Sequence, residues 1–79
     1  MEMDFLIRQV VFSNFMQEIC YIDTLAKVRQ LSILKEMSDG KIREVFAQIL
    51  NALPDGNAEE QEFYQWACKA LETGIYDED

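Results

Sequence analysis

The sequence has no histidine, only one proline, two cysteines and three glycines among its 79 residues. Without histidine no Ser–His or Cys–His nucleophile pair can be assembled. With two cysteines and no histidine, a structural zinc site of the usual kind lacks its ligands within one chain. Three scattered glycines do not make a phosphate-cradling loop, and no calcium loop of alternating acids ending in Glu is present. Carboxylate pairs such as Glu59 with Glu62 exist. They stand at a helix start with no apolar cleft to raise a pKa, so general acid–base work is not expected of them. No enzyme activity, metal or cofactor is expected.

Cations and long apolar runs are also scarce. Seven Lys and Arg face fifteen Asp and Glu, for a net charge of −8. That disfavours bare nucleic acid and anionic membranes, because phosphate contacts need Lys and Arg. It favours solubility, a basic partner or mimicry of a polyanion. The first 22 residues look apolar but include Asp4, Arg8, Gln9, Asn14, Gln17 and Glu18. They fall short of the ~20 apolar residues of a membrane span, and no basic region leads into a clean apolar stretch as in a signal peptide. The expected compartment is the cytoplasm. Cys20 and Cys68 are too few for a disulfide framework. Both stand in apolar helical stretches and are expected as buried thiols, with a single bridge between the first and last helices as the alternative.

What is abundant is apolar side chain, at 49% of the chain. A chain of this size buries roughly 60% of its unfolded surface, which makes one modest core. The expectation is a single helical domain over residues 1–74 followed by a short acidic tail, 75–79. Apolar supply beyond one small core points to self-association.

Four helices are expected. The first runs from about Asp4 to Tyr21. On a helical wheel Phe5, Phe12, Met16 and Ile19 share a stripe, and Leu6, Ile7, Val10 and Val11 spread over the rest. A helix apolar nearly all round is buried on more than one side, so this one is either central or in a dimer interface. Its β-branched Ile7, Val10 and Val11 leave a strand as the minor alternative. The second helix starts near Asp23 or Thr24, either of which suits a cap, and extends to about Met37. It carries Leu25, Ala26, Val28, Leu31, Ile33, Leu34 and Met37. No Gly or Pro separates it from the first, so one long kinked helix is the alternative. Ser38-Asp39-Gly40 is a firm break. The third helix, about Gly40 to Leu53, places Ile42, Val45, Phe46, Ile49, Leu50 and Leu53 at alternating spacings of three and one, the clearest amphipathic pattern in the chain.

Pro54-Asp55-Gly56-Asn57 reads as a turn. Asn57 with Glu60 three residues on resembles a capping box. The fourth helix runs from about Ala58 to Thr73, with Glu59, Glu60 and Glu62 near its positive end and Gly74 as its stop. Phe63, Trp66, Ala67, Ala70 and Leu71 are its expected core, with Tyr64 at the edge. The fold class is all-α, a small four-helix bundle or orthogonal helical array, dimeric through the first helix.

Charge is unevenly placed. Residues 27–43 hold Lys27, Arg29, Lys35, Lys41 and Arg43 against Glu36 and Asp39, a local charge of +3. Residues 55–79 hold eight acids against Lys69, a local charge of −7. Both segments read first as solvated helix faces. The functional alternatives are a basic patch for nucleic acid or an acidic protein, and an acidic face that docks on a basic partner. Leu34 to Phe46 has helix-turn-helix proportions, but the third helix spends its best face on apolar residues rather than base contacts.

One stretch carries a family likeness. Cys20-Tyr21-Ile22-Asp23-Thr24-Leu25 with Val28, then Ser38-Asp39 with Val45-Phe46, resembles the Hha/YmoA family of small helical nucleoid modulators, over about a third of the chain and with gaps. The resemblance implies action through a DNA-organising protein partner. The longer first helix and the acidic fourth depart from that pattern.

The functional expectation is a non-catalytic protein-binding module, a small regulatory, inhibitory or adaptor protein. The alternatives are a nucleic-acid-associated regulator using residues 27–43 and an acidic DNA mimic. The candidate partner-binding residues are Lys27, Arg29, Lys35, Lys41, Arg43, Glu59, Glu60, Glu62 and Tyr64, and the candidate partners are another protein or a second copy of the chain.

Overall fold

The computed structural model describes residues 2–31, 34–54 and 56–76, apart from the side chain of Glu2. Ile33, assigned above to the second helix, Asp55 of the turn and residues 77–79 of the tail lie outside them. The described residues form four helices and no strand: α1 (Glu2–Met16), α2 (Tyr21–Arg29), α3 (Asp39–Ala52) and α4 (Ala58–Thr73). The chain is all-α, and it divides into two compact units, Met1–Met37 and Ser38–Asp79. Each unit is a pair of helices in contact, α1 with α2 and α3 with α4.

In the first unit α1 stops five residues before the expected Tyr21. The stop is a left-handed cap made by the backbone. Glu18 adopts φ 57°, its N–H donates to the Phe15 carbonyl at 3.0 Å, and the Ile19 N–H donates to the Asn14 carbonyl at 2.9 Å. These are the two bonds of a Schellman motif, with Glu where Gly usually stands. Helices one and two are therefore separate. Cys20 caps α2 in extended backbone, with no side-chain bond. The Thr24 hydroxyl donates instead to the Cys20 carbonyl, at 2.8 Å.

Helix α2 ends at Arg29, well short of Met37. The N–H groups of Gln30, Leu31, Leu34 and Met37 each donate to the carbonyl three residues back. Leu31, Leu34 and Met37 recur every third residue, a period that suits such tight turns better than a continuing α-helix. Leu34 is buried there, and Thr24, Leu25 and Val28 are buried on α2. The rings of Phe15 and Tyr21 meet across the α1–α2 bend, 6.0 Å between centroids.

The second unit follows its sequence closely. Ser38 is the cap of α3, its Oγ accepting from the Lys41 N–H at 3.3 Å. Ile42, Val45, Phe46 and Ile49 are buried. Leu53 leaves the helix in extended backbone, as a residue before proline must. Asn57 opens α4 without a side-chain cap. Its Nδ2 donates back to the Pro54 carbonyl at 3.1 Å, which ties the turn rather than the helix. Gly74 closes α4 at φ 76°, where its N–H donates to the Ala70 carbonyl at 2.7 Å.

An aromatic cluster fills this unit. Tyr64 lies 5.7 Å from Phe46 and 5.3 Å from Phe63, the latter edge-on. Edge-to-face rings at such distances add about 0.5–1.5 kcal/mol beyond area burial. Trp66 touches Phe63 at 6.1 Å and is half-buried. Tyr64 and Trp66 thus exchange the positions expected of them. Residues 60, 64, 67 and 71 form the inward row of α4, at the 4, 3, 4 spacing of a helix seam; all four are buried.

Candidate interaction surface

Helix α1 is apolar on two faces, and the fold uses only one. Ile7 and Val11 are fully buried and Asn14 is 6% exposed. Phe5, Phe12 and Met16 remain 63%, 58% and 72% exposed, and Leu6 39%. At 100° per residue the first three fall within an arc of about 40°, on the side of α1 away from Ile7 and Val11. Ile19, expected on the same stripe, lies beyond the helix end and is half-buried. The exposed side of α1 carries Phe5, Leu6, Gln9, Phe12, Ser13 and Met16. None of these is ionisable.

Beside the stripe lies an open depression of about 400 Å³ lined by Gln9, Val10, Ser13 and Asn14. The Gln17 amide donates to the Ser13 Oγ at 3.3 Å on its rim. Asn14 is the unusual member. Its Nδ2 is buried and finds no hydrogen-bond partner among the described residues, an arrangement that ordinarily costs about 1–3 kcal/mol. Its burial is not legible in the sequence, since Asn14 stands among apolar neighbours on a face that the wheel leaves unassigned.

The charged candidates are distributed over both units. Lys27, Arg29 and Lys35 belong to the first, and Lys41 and Arg43 to the second. Neither helix pair carries all five. Lys27, Lys35 and Lys41 are exposed, and Arg29 is half-buried. The Arg43 guanidinium pairs with the Glu72 carboxylate at 3.1 Å, joining α3 to α4. Glu59 and Glu62 are exposed at the start of α4. Glu60 and Tyr64 are buried, so these two candidates stand in the interior rather than on a docking face. The reason is the same inward row of α4.

Both cysteines are free. Cys20 is exposed rather than buried, because α1 ends before it and leaves it in the connection to α2. Cys68 is half-buried, and its Sγ donates to the Arg43 carbonyl at 3.7 Å. Burial pushes the Cys68 thiol above its ordinary value; the Arg43 charge opposes that shift and Glu72 adds to it. No group of three or more His, Cys, Asp or Glu placed to hold a metal occurs among the described residues. Nor is any described helix long and apolar enough to cross a membrane.

Comparison with protein-family models, with curated proteins and with solved structures gives no match, so the partial likeness to the Hha/YmoA family carries no assignment.

Proposed function

We propose that this chain is a non-catalytic protein-binding module that acts as a small regulatory, inhibitory or adaptor protein in the cytoplasm. The observation that supports this reading is the row of Phe5, Phe12 and Met16 on α1, each more than half exposed. Scattered single apolar residues are normal on a surface, but a contiguous row of large ones marks an interaction site. Aromatic residues and Met are enriched at protein interfaces, and charged groups are depleted at interface cores. The face of α1 has that composition.

The test is affinity capture from the host's lysate, with and without nuclease, using the wild-type chain beside Phe12→Glu. The expected result is a stoichiometric protein, another copy of this chain included. It survives nuclease and is lost with Phe12→Glu. A catch that disappears with nuclease and ignores Phe12→Glu defeats this reading. It turns attention to Lys27, Lys35 and Lys41.

A further inference from the structure

We infer that the occupant of the α1 face is a second copy of the same chain, docked antiparallel about a two-fold axis that crosses the exposed face at the level of residues 10 and 11. The inference rests on the protein-binding reading above and names the partner of that same face.

Charge decides first among occupants. Among its described side chains the exposed face has no carboxylate to meet a basic protein and no cation to meet phosphate, although the chain as a whole carries −8. A surface without charge is where two like-charged chains approach each other at least electrostatic cost.

Spacing decides second. Phe5, Gln9, Phe12 and Met16 follow one another at intervals of four, three and four. That series is the seam of a helix pair, and it reads the same from either end. An isologous interface requires that when residue i meets j, j also meets i. An antiparallel pair meets the requirement with Phe5 against the second copy's Met16 and Gln9 against the second copy's Phe12. Ring against thioether is a favourable contact. Each Phe12 ring also comes to rest beside the depression lined by Gln9 and Ser13. A parallel pair satisfies the symmetry as well, but it aligns the two helix dipoles and places the Asp4 of both first turns at the same end. The antiparallel pair separates them.

Area decides third. A large aromatic side chain hides on the order of 150–250 Å² when fully buried. At the observed exposures, Phe5, Leu6, Phe12 and Met16 offer roughly 400–500 Å² of apolar surface per copy. Two copies with their polar rims come to about the 1,000 Å² at which a specific interface begins. A weak to moderate dimer is the consequence.

Sedimentation equilibrium of the full chain from about 1 μM to about 1 mM tests this. The mass should climb from 9.2 kDa toward twice that value. Phe12→Glu should weaken the dimer by about 30-fold or more, as loss of an interface hot spot does, with an unchanged helical circular dichroism spectrum. Register is tested by oxidation in a Cys20→Ser, Cys68→Ser background. A mixture of Phe5→Cys and Met16→Cys chains should form a mixed disulfide. Phe5→Cys alone should not, because its two thiols then stand about 16 Å apart along the axis, beyond the reach of a disulfide.

A mass of 9.2 kDa at every concentration overturns the inference, as does a dimer indifferent to Phe12→Glu. Rapid linkage of Phe5→Cys to itself overturns the antiparallel register. A monomer that still captures a different protein through Phe12 defeats the self-association and leaves the protein-binding reading standing. A monomer that captures nothing defeats both.

Discussion

At the scale of single residues, burial separates side chains of the same type. Phe46 is fully buried within the aromatic cluster of the second unit, whereas Phe12 is 58% exposed. Phe46→Ala should cost about 3–5 kcal/mol, the range for deleting a buried ring. Phe12→Ala should stay within about 0.5 kcal/mol. Urea unfolding at low micromolar protein, where self-association does not contribute, measures both. The two thiols divide in the same way. Cys20 is exposed, while burial holds the Cys68 proton above the ordinary thiol value of 9.0. Thiolate is the reactive form, so Cys20 should be alkylated well ahead of Cys68 at neutral pH, as peptide mapping after timed labelling would show. The linkage sign follows. With the folded pKa raised, the unfolded chain releases this proton first. The Cys68 contribution to stability is therefore intact below about pH 9 and is lost as pH rises through the folded value. Tyr64 and Trp66 were the residues hardest to place from sequence. Both rings suit a core, and only the exact rotation of α4 puts 64 in the row with 60, 67 and 71.

At the scale of elements, helix ends were legible wherever the chemistry of the cap is in the side chain. Ser38 before α3, Pro54 after it and Gly74 after α4 are all punctuation that sequence displays, and these ends fell within a residue of expectation. The end of α1 was illegible because its cap is made by backbone alone, with Glu18 in a conformation that favours glycine. The end of α2 was illegible for another reason: an apolar residue at every third position continues past the helix into tight turns. The first case gives a direct test. A left-handed residue with a Cβ costs on the order of 1–2 kcal/mol, a penalty that glycine does not carry. Glu18→Gly should therefore stabilise the chain by up to about 1 kcal/mol, read as a higher midpoint in thermal or urea unfolding. A lower midpoint would mean that the Glu18 side chain contributes more than its backbone strain costs.

At the scale of the whole molecule, the net charge and the apolar face of α1 act in opposite directions, and salt separates them. Two chains of −8 repel at long range. The repulsion extends about 30 Å at 0.01 M salt and only about 10 Å at 0.1 M. The contact between α1 faces is apolar and is not weakened by that screening. Dimer affinity should therefore rise as salt is raised from 0.01 M to 0.1 M and above, and then level off. Nucleic-acid binding through Lys27, Lys35 and Lys41 has the opposite sign, because counterions released on binding make affinity fall with salt. A basic protein held by Glu59 and Glu62 would likewise let go as salt increases. Sedimentation equilibrium across a salt series thus distinguishes the readings by the direction of one slope. An association that strengthens with salt and disappears with Phe12→Glu belongs to the apolar face. One that weakens with salt belongs to the charges, whatever the partner, and would remove α1 from the centre of the functional reading.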